Sequence, residues 1–166
     1  ASSRVPGWAT NLPGRWRAYV PPETVSSRTP APFSWDADEK DRQTREHVAI
    51  LTRIERLLVA AGVQAFEGTK EPRCDLLFRQ PNGAVVVIEA KSLPADGETH
   101  QLRVGLGQLF EYRAVLSEAG AEVRLVLAVP RVPKRAEIWR AACADGRVEL
   151  LAISASDERL RTALFT

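Results

Sequence analysis

The sequence contains no methionine and only two cysteines among its 166 residues. Cys74 and Cys143 are far apart and belong to no CxxC arrangement, which argues against a structural zinc site. The pattern instead predicts two buried free thiols in a reducing cytoplasm. Because the chain also starts "ASS", we expect it to be a fragment of a longer chain or one part of a larger complex.

Long apolar runs and a large net charge are also missing. No run is long enough to span a bilayer and no signal-peptide pattern stands at the start, so we expect no membrane partner. The net charge of +2 does not by itself demand a nucleic acid partner. The length suits one domain with its own core, and an apolar fraction of 45% is ordinary for a globular protein.

Residues 1–33 differ from the rest of the chain. They are rich in Pro, Gly and Ser without sustained periodicity, which predicts an extended arm or linker ahead of a domain over residues 34–166. Arginines interleaved with aromatic residues can grip a nucleic acid backbone and stack on bases. We favour the alternative that the aromatics pack the arm onto the core, since they are large burial units. These residues are Arg4, Trp8, Arg15, Trp16, Arg17, Tyr19 and Arg28.

The remaining sequence alternates between helix and strand patterns. A capping box at Asp36–Glu39 predicts a first helix that runs to about Ala61 and stops at Gly62, with His47 on its apolar stripe. The other predicted helices cover residues 98–118, 134–146 and 157–165. The predicted strands cover residues 63–66 (as an edge strand), 74–78, 84–91, 122–130 and 147–154. This order predicts an α/β fold in which helices flank a mixed central sheet.

The strand over residues 84–91, AVVVIEAK, ends in charged residues. Its apolar residues occupy both faces, which is typical of a central strand, and charges there are costly unless something compensates them. Glu89 and Lys91 point to one face. The turn at residues 81–83 predicts a hairpin that brings Asp75 near Glu89. The charges indicate either a salt bridge or strand end in water, or a metal and substrate site.

Two carboxylates and a lysine at one sheet end suit a hydrolytic metal site. Mg²⁺ takes oxygen ligands from one or two carboxylates and keeps several waters. The ion lowers the pKa of a bound water and stabilises charge on a phosphate, while Lys91 can orient or deprotonate that water. Without a metal, Asp75 and Glu89 would repel and one would tend to hold a proton. Because Lys91 ends a strand, we expect its truncation to open no large core cavity.

The helix over residues 98–118 carries a polar stripe. Gln101, Gly105, Gln108 and Tyr112 follow one another at helical spacing on one face. Gly105 and Gly107 each cost the helix roughly 1 kcal/mol relative to Ala, which is explained if a backbone or a phosphate comes close. On this segment alone, an ordinary amphipathic helix is the favoured alternative.

Taken in order, Asp75, Glu89-Ala90-Lys91 and Gln108…Tyr112 resemble the motifs of the PD-(D/E)XK nuclease superfamily, including the QxxxY element of its RecB-type branch. The predicted element order is similar to that family's restriction-endonuclease-like α-β-β-β-α-β core. The resemblance covers roughly residues 33–153 and leaves the N-terminal arm unexplained. The segment before Asp75 departs from the family's plain PD pair.

The resemblance implies an Mg²⁺-dependent DNA endonuclease of restriction or defence, with Mn²⁺ as a substitute for Mg²⁺. The implied metal ligands are Asp75, Glu89, the carbonyl of Ala90 and Glu46. The other implied catalytic residues are Lys91, which would position the attacking water, and Gln108, Tyr112 and His47. For His47, a packed core residue is an equal alternative.

Two other functions remain open at this point. One is a nuclease fold without activity that binds DNA or a protein partner, against which the intact Asp75, Glu89 and Lys91 set argues. The other is a nuclease that acts on RNA or single strands. Cutting both strands of a duplex usually needs two active sites, so a homodimer is a further expectation.

Overall fold

The computed structural model describes residues 5–22 and 44–166, which form six strands and five helices. The strands are β1 (Arg15–Ala18), β2 (Phe66–Lys70), β3 (Leu76–Arg79), β4 (Val85–Ala90), β5 (Val123–Val129) and β6 (Val148–Ala152). The helices are α1 (Gly7–Thr10), α2 (Arg45–Ala60), α3 (Glu98–Glu118), α4 (Ala136–Asp145) and α5 (Asp157–Phe165).

One mixed sheet holds the strands in chain order, from β1 at one edge to β6 at the other. Strands β1 to β4 pair antiparallel, whereas β4, β5 and β6 pair parallel. The predicted α/β fold with a mixed central sheet is therefore confirmed. None of the helices that the structure describes is long and apolar enough to cross a membrane.

Helices cover the sheet on both faces. One apolar cluster joins α3 and α4 to the face that carries Val85 and Val87. The other joins α2 and α5 to the face that carries Val86 and Ile88. All six residues of β4 are buried, which explains why this strand is apolar on both faces.

Strands β3 and β4 form the predicted hairpin. Leu76 pairs with Ile88, and Arg79 with Val85. The turn is closed by the side chain of Asn82, which accepts from Ala84 N at 3.0 Å, and Gly83 adopts the positive φ of +97° that glycine permits. The hairpin fixes which residues of β3 and β4 lie opposite each other.

Helix α2 begins later than the sequence pattern predicts. Thr44 has an extended backbone, with φ −71° and ψ 151°, and its hydroxyl accepts from His47 N at 3.1 Å as an N-cap. The prediction that one continuous helix runs from the capping box to Ala61 is therefore wrong. The capping box itself lies outside the described residues. The predicted stop is confirmed, because Gly62 adopts a left-handed φ of +71°.

Strand β2 also differs from the prediction. It starts at the last residue of the predicted segment 63–66 and runs to Lys70. It is not an edge strand, because β1 pairs with its outer side. The prediction failed because Glu67, Thr69 and Lys70 give the strand a polar, half-exposed pattern that is typical of a loop.

Within its described residues 5–22, the N-terminal segment forms helix α1 and the edge strand β1 of the sheet. Trp16 and Tyr19 are buried, and Trp8 packs edge-on against Phe66 with ring centroids 5.6 Å apart. These aromatics pack as the favoured alternative predicts, while Arg17 on the other face of β1 is exposed. Arg4, Arg28 and the predicted boundary at residue 33 lie outside the described residues.

Both cysteines are free and buried, as predicted. Burial raises the pKa of the Cys143 thiol to about 11, and the negative charge of Glu149 adds to the shift. The folded state therefore holds this proton more tightly than the unfolded chain does.

We expect the removal of the Trp16 side chain to destabilise the domain. Trp16 is only 9% exposed, so Trp16→Ala should lower the free energy of unfolding by about 3 kcal/mol or more. Val20→Ala is the control, since Val20 is 72% exposed and its truncation should cost less than about 0.5 kcal/mol. Urea unfolding measures both, and equal costs would show that β1 does not pack on the core.

The raised pKa of Cys143 predicts a pH dependence of stability. The contribution is fully present below the unfolded pKa near 9 and is lost as pH rises through the folded pKa of about 11. By about pH 10.5 the loss should approach 2 kcal/mol. In Cys143→Ala the fall between pH 8 and about 10.5 should be smaller by that amount, as measured by urea unfolding. An identical fall in both proteins would contradict the assignment.

Candidate functional site

The charges at the end of β4 form a buried ion pair. Lys91 Nζ lies 3.0 Å from Glu89 Oε1, and both side chains are 0% exposed. Lys91 N donates to Ala128 O at 2.9 Å, so the pairing with β5 extends past the end of β4. The alternative of a strand end in water is therefore wrong, and the salt-bridge alternative describes the geometry.

Helix α3 makes room for this pair at Gly105. A Cβ at Gly105 would lie 2.6 Å from Leu127 Cδ1, which is too close, and 3.0 Å from Lys91 Cγ, which is tight. The groups that approach Gly105 are side chains, so the predicted approach of another backbone is wrong, and the approach of a phosphate stays a prediction. Gly107 has no neighbour within 4 Å of an added Cβ, so the same explanation does not apply to it.

Asp75 joins the hairpin to α2. Because Leu76 pairs with Ile88, the register places Asp75 opposite Glu89. Asp75 Oδ2 accepts from Ala90 N at 2.8 Å and lies 3.0 Å from His47 Nε2. His47, Asp75 and the end of β4 therefore form one buried group, and His47 is both a packed residue and a neighbour of the site. The shared binding of one cation by Asp75 and Glu89 stays a prediction.

The segment before Asp75 is held from two sides. Tyr112 on α3 donates its hydroxyl to Arg73 O at 3.1 Å. Gly68 on β2 donates its amide to Cys74 O at 3.1 Å, and a Cβ there would lie 2.5 Å from Pro72 O. The half-buried Gln108 lies one turn before Tyr112. Tyr112 thus supports the site through the backbone that leads to Asp75.

The loop that follows Lys91 is held by side chains from two other elements. Glu46 Oε2 accepts from Leu93 N at 3.1 Å, and Arg131 Nη2 donates to Leu93 O at 3.1 Å. Arg131 also pairs with Glu98 at 2.9 Å, and Glu98 accepts from Lys134 N at 2.7 Å. Glu46 therefore lies beside the site through this loop, and its role as a metal ligand stays a prediction.

The residues at the site offer the oxygen atoms that a magnesium ion prefers as ligands. No group of three or more His, Cys, Asp or Glu side chains in residues 5–22 and 44–166 is placed to hold a metal. Asp75, Glu89 and the Ala90 carbonyl are a smaller set of oxygen ligands, which suits an ion that keeps several waters. Lys91 contacts one oxygen of Glu89, so a cation bound there would share that carboxylate with the ammonium group.

A groove with a volume of about 520 Å³ opens beside Asp75 and His47. Its other lining residues include Arg17, Tyr19, Glu67, Thr69 and Arg73. Burial raises the pKa of the Tyr19 phenol, and the charges of nearby carboxylates, Glu67 first, raise it further. Tyr19 is therefore a neutral hydrogen-bond donor at physiological pH. The hydrogen bond to Glu67 raises the pKa of Arg17.

The sequence predicted the residues at the end of β4 and the supporting Glu46, His47 and Tyr112. It did not predict the supporting Gly68, Glu98 and Arg131. Gly68 had a usable signal, because a glycine inside a strand marks a close backbone approach. Glu98 and Arg131 had none, since their contact joins two segments far apart in the chain.

No family model, curated protein or solved structure matches this chain. Membership of the PD-(D/E)XK superfamily therefore stays a prediction from the sequence motifs.

The two glycines of α3 provide a matched test of the packing at Lys91. Gly105→Ala should lower the free energy of unfolding by about 1–3 kcal/mol, because the added methyl group overpacks Leu127 and Lys91. Gly107→Ala should raise it by up to about 1 kcal/mol through helix propensity alone. Urea unfolding compares the two, and equal effects would show that Lys91 does not pack against α3.

Proposed function

We propose that this protein is a metal-dependent endonuclease that hydrolyses phosphodiester bonds in DNA. The observation that carries the proposal is the buried Glu89–Lys91 pair at the end of the central strand, with Asp75 bonded to the amide of the residue between them. Two acids and a lysine brought together on a hairpin are groups that metal-assisted hydrolysis of a phosphodiester can use.

The order of elements supports the same proposal. Helix α2, the antiparallel strands β2 to β4, helix α3 and the parallel strand β5 follow one another as in the α-β-β-β-α-β core of the PD-(D/E)XK nucleases. Tyr112 lies on the helix that follows the site, as the QxxxY element implies. Fold similarity alone does not fix an activity, so the proposal depends on the site.

Each residue has a distinct task in this proposal. Asp75, Glu89 and the Ala90 carbonyl would hold Mg²⁺ or Mn²⁺, and a bound ion would supply an activated water and stabilise charge on the phosphate. Lys91 would orient the attacking water from its position 3.0 Å from Glu89. His47 holds Asp75 in place from α2.

Complete burial of Glu89 and Lys91 sets a condition on this mechanism. A phosphodiester cannot reach an ammonium group with no exposed surface, so part of the cover must move before the reaction. Helix α3 covers Lys91 at Gly105, and the loop over residues 92–97 that follows Lys91 is held at Leu93 by Glu46 and Arg131.

The same burial favours a second candidate function. A buried ion pair can be retained for conformational specificity without any chemistry. The protein would then be a nuclease-fold module that binds DNA or a protein partner, and the ion pair would only fix the register of β4.

The wider biology belongs to the same proposal. Restriction or defence would use an enzyme of this kind, and a homodimer would supply the two sites needed to cut both strands. Free buried cysteines fit a reducing compartment such as the cytoplasm.

The variant that tests the proposal must account for burial. The expectation that Lys91 can be truncated without a cavity is wrong, because Lys91 is one of the largest fully buried side chains. Lys91→Ala should cost about 3–5 kcal/mol, since it leaves Glu89 buried without this cation. The double variant Glu89→Gln/Lys91→Met keeps the volume and removes both charges. It should fold and should nick plasmid DNA at least about 100-fold more slowly than the wild type.

The matched control removes an exposed ion pair far from the site. Arg53→Met/Asp157→Asn breaks a 2.9 Å pair between α2 and α5 and should leave nicking unchanged. Nicking is followed with Mg²⁺, Mn²⁺ or chelator, on modified and unmodified plasmid, single-stranded DNA and RNA. Wild-type protein that binds DNA in Ca²⁺ but cuts none of these substrates would favour the binding module. A double variant as fast as the wild type would remove Glu89 and Lys91 from the mechanism.

A further inference from the structure

A groove of about 520 Å³ reaches the site at Asp75 and His47. Glu89 and Lys91 have no exposed surface, and the side chains of Asp75 and His47 are only 2% and 4% exposed at the floor of the groove. A substrate that approaches the site from this side must therefore pass along the groove. Its walls are β1, β2 and the first turns of α2.

Two arginines line this groove. The Arg17 side chain is 68% exposed and its Nε lies 2.7 Å from Glu67 Oε1 on the neighbouring strand. That ion pair uses Nε, so the Nη nitrogens carry further donors that can reach a phosphate. Arg73 is exposed and stands two residues before Asp75, and the hydroxyl-bearing Thr69 is exposed beside it. Arginine favours phosphate because its planar fork matches phosphate oxygens.

The size of the groove restricts what it can hold. Its volume falls within the range of about 300–1,000 Å³ that is usual for pockets that bind one small molecule. A space of this size holds about one or two nucleotides of a single strand and does not enclose a duplex. The 72% exposed Val20 at the rim offers apolar surface to a base.

We propose that one strand of DNA, separated from its complement, enters this groove with its phosphates on Arg17 and Arg73. The inference rests on the proposed function, in which a strand must reach the site at Asp75 to be cut. It makes single-stranded or frayed DNA the preferred substrate. It also gives β1 two roles, since Trp16 packs in the core while Arg17 faces the substrate.

Binding without cleavage tests the proposal. Fluorescence anisotropy with a labelled single strand, in Ca²⁺ over a series of salt concentrations, gives the slope of log K against log salt. Each phosphate contact contributes about 0.7 to this slope for single strands, so Arg17→Gln/Arg73→Gln should flatten it by about 1.4. The wild type should also bind the single strand more tightly than the matching duplex.

The matched control removes two arginines from a different groove. Arg56→Gln/Arg161→Gln changes the net charge equally in the groove between α2 and α5 and should leave the slope unchanged. Equal flattening by both pairs, no flattening by the first, or tighter binding of the duplex would overturn the proposal. Thermal melting confirms that each variant is folded, and loss of the exposed Arg17–Glu67 pair should cost less than about 1 kcal/mol.

The outcome separates this inference from the proposed nuclease activity. A protein that cuts no DNA but shows the Arg17- and Arg73-dependent slope would support strand binding in the groove and contradict the nuclease activity. A protein that cuts DNA, and whose Arg17→Gln/Arg73→Gln variant has an unchanged slope, would support the nuclease activity and contradict strand binding in the groove.

Discussion

The Glu89–Lys91 pair is the constraint around which the rest of this fold is arranged. Two charges without exposed surface are tolerated only where the surrounding structure places them accurately against each other. Pairing with β5 fixes the backbone of Lys91, and Gly105 leaves room for its side chain. A shift of β4 by one residue would turn both charges to the opposite face, so the pair also specifies the register of the central strand.

Around this pair, each neighbouring element contributes one contact to the same small region. The hairpin brings Asp75 to the amide of Ala90, and α2 brings His47 to Asp75. Tyr112 from α3 holds the backbone just before Asp75. The candidate site is therefore a junction between both helical layers and the sheet, which is why residues distant in sequence support it.

The sequence predicted those parts of the fold that depend on local signals. The hairpin followed from a turn between two apolar strands, and the end of α2 followed from Gly62, because both signals act within a few residues. Strand β1 was missed because it is only four residues long and stands among Pro, Gly and Arg residues. Its existence depends on β2, which local propensity cannot reveal.

The candidate site shows the same division. Asp75, Glu89 and Lys91 were found because charges on a buried hairpin are conspicuous in a sequence. Their complete burial was not predicted, since it depends on how closely α3 approaches at Gly105. The clamp on Leu93 by Glu46 and Arg131 depends on two loops meeting in space, and no local pattern indicates it.

The charges on β4 have a consequence before the protein has folded. Residues 84–88 form an uninterrupted apolar, β-branched-rich stretch of the kind that pairs with copies of itself in an unfolded chain. Glu89 and Lys91 flank that stretch as gatekeepers, because their hydrated charges oppose the stacking of identical strands. In the native state these charges are buried, so they oppose the stacking of identical strands only in the nascent and unfolded chain. As the protein concentration rises, the refolding yield of Glu89→Gln/Lys91→Met should therefore fall faster than that of the wild type.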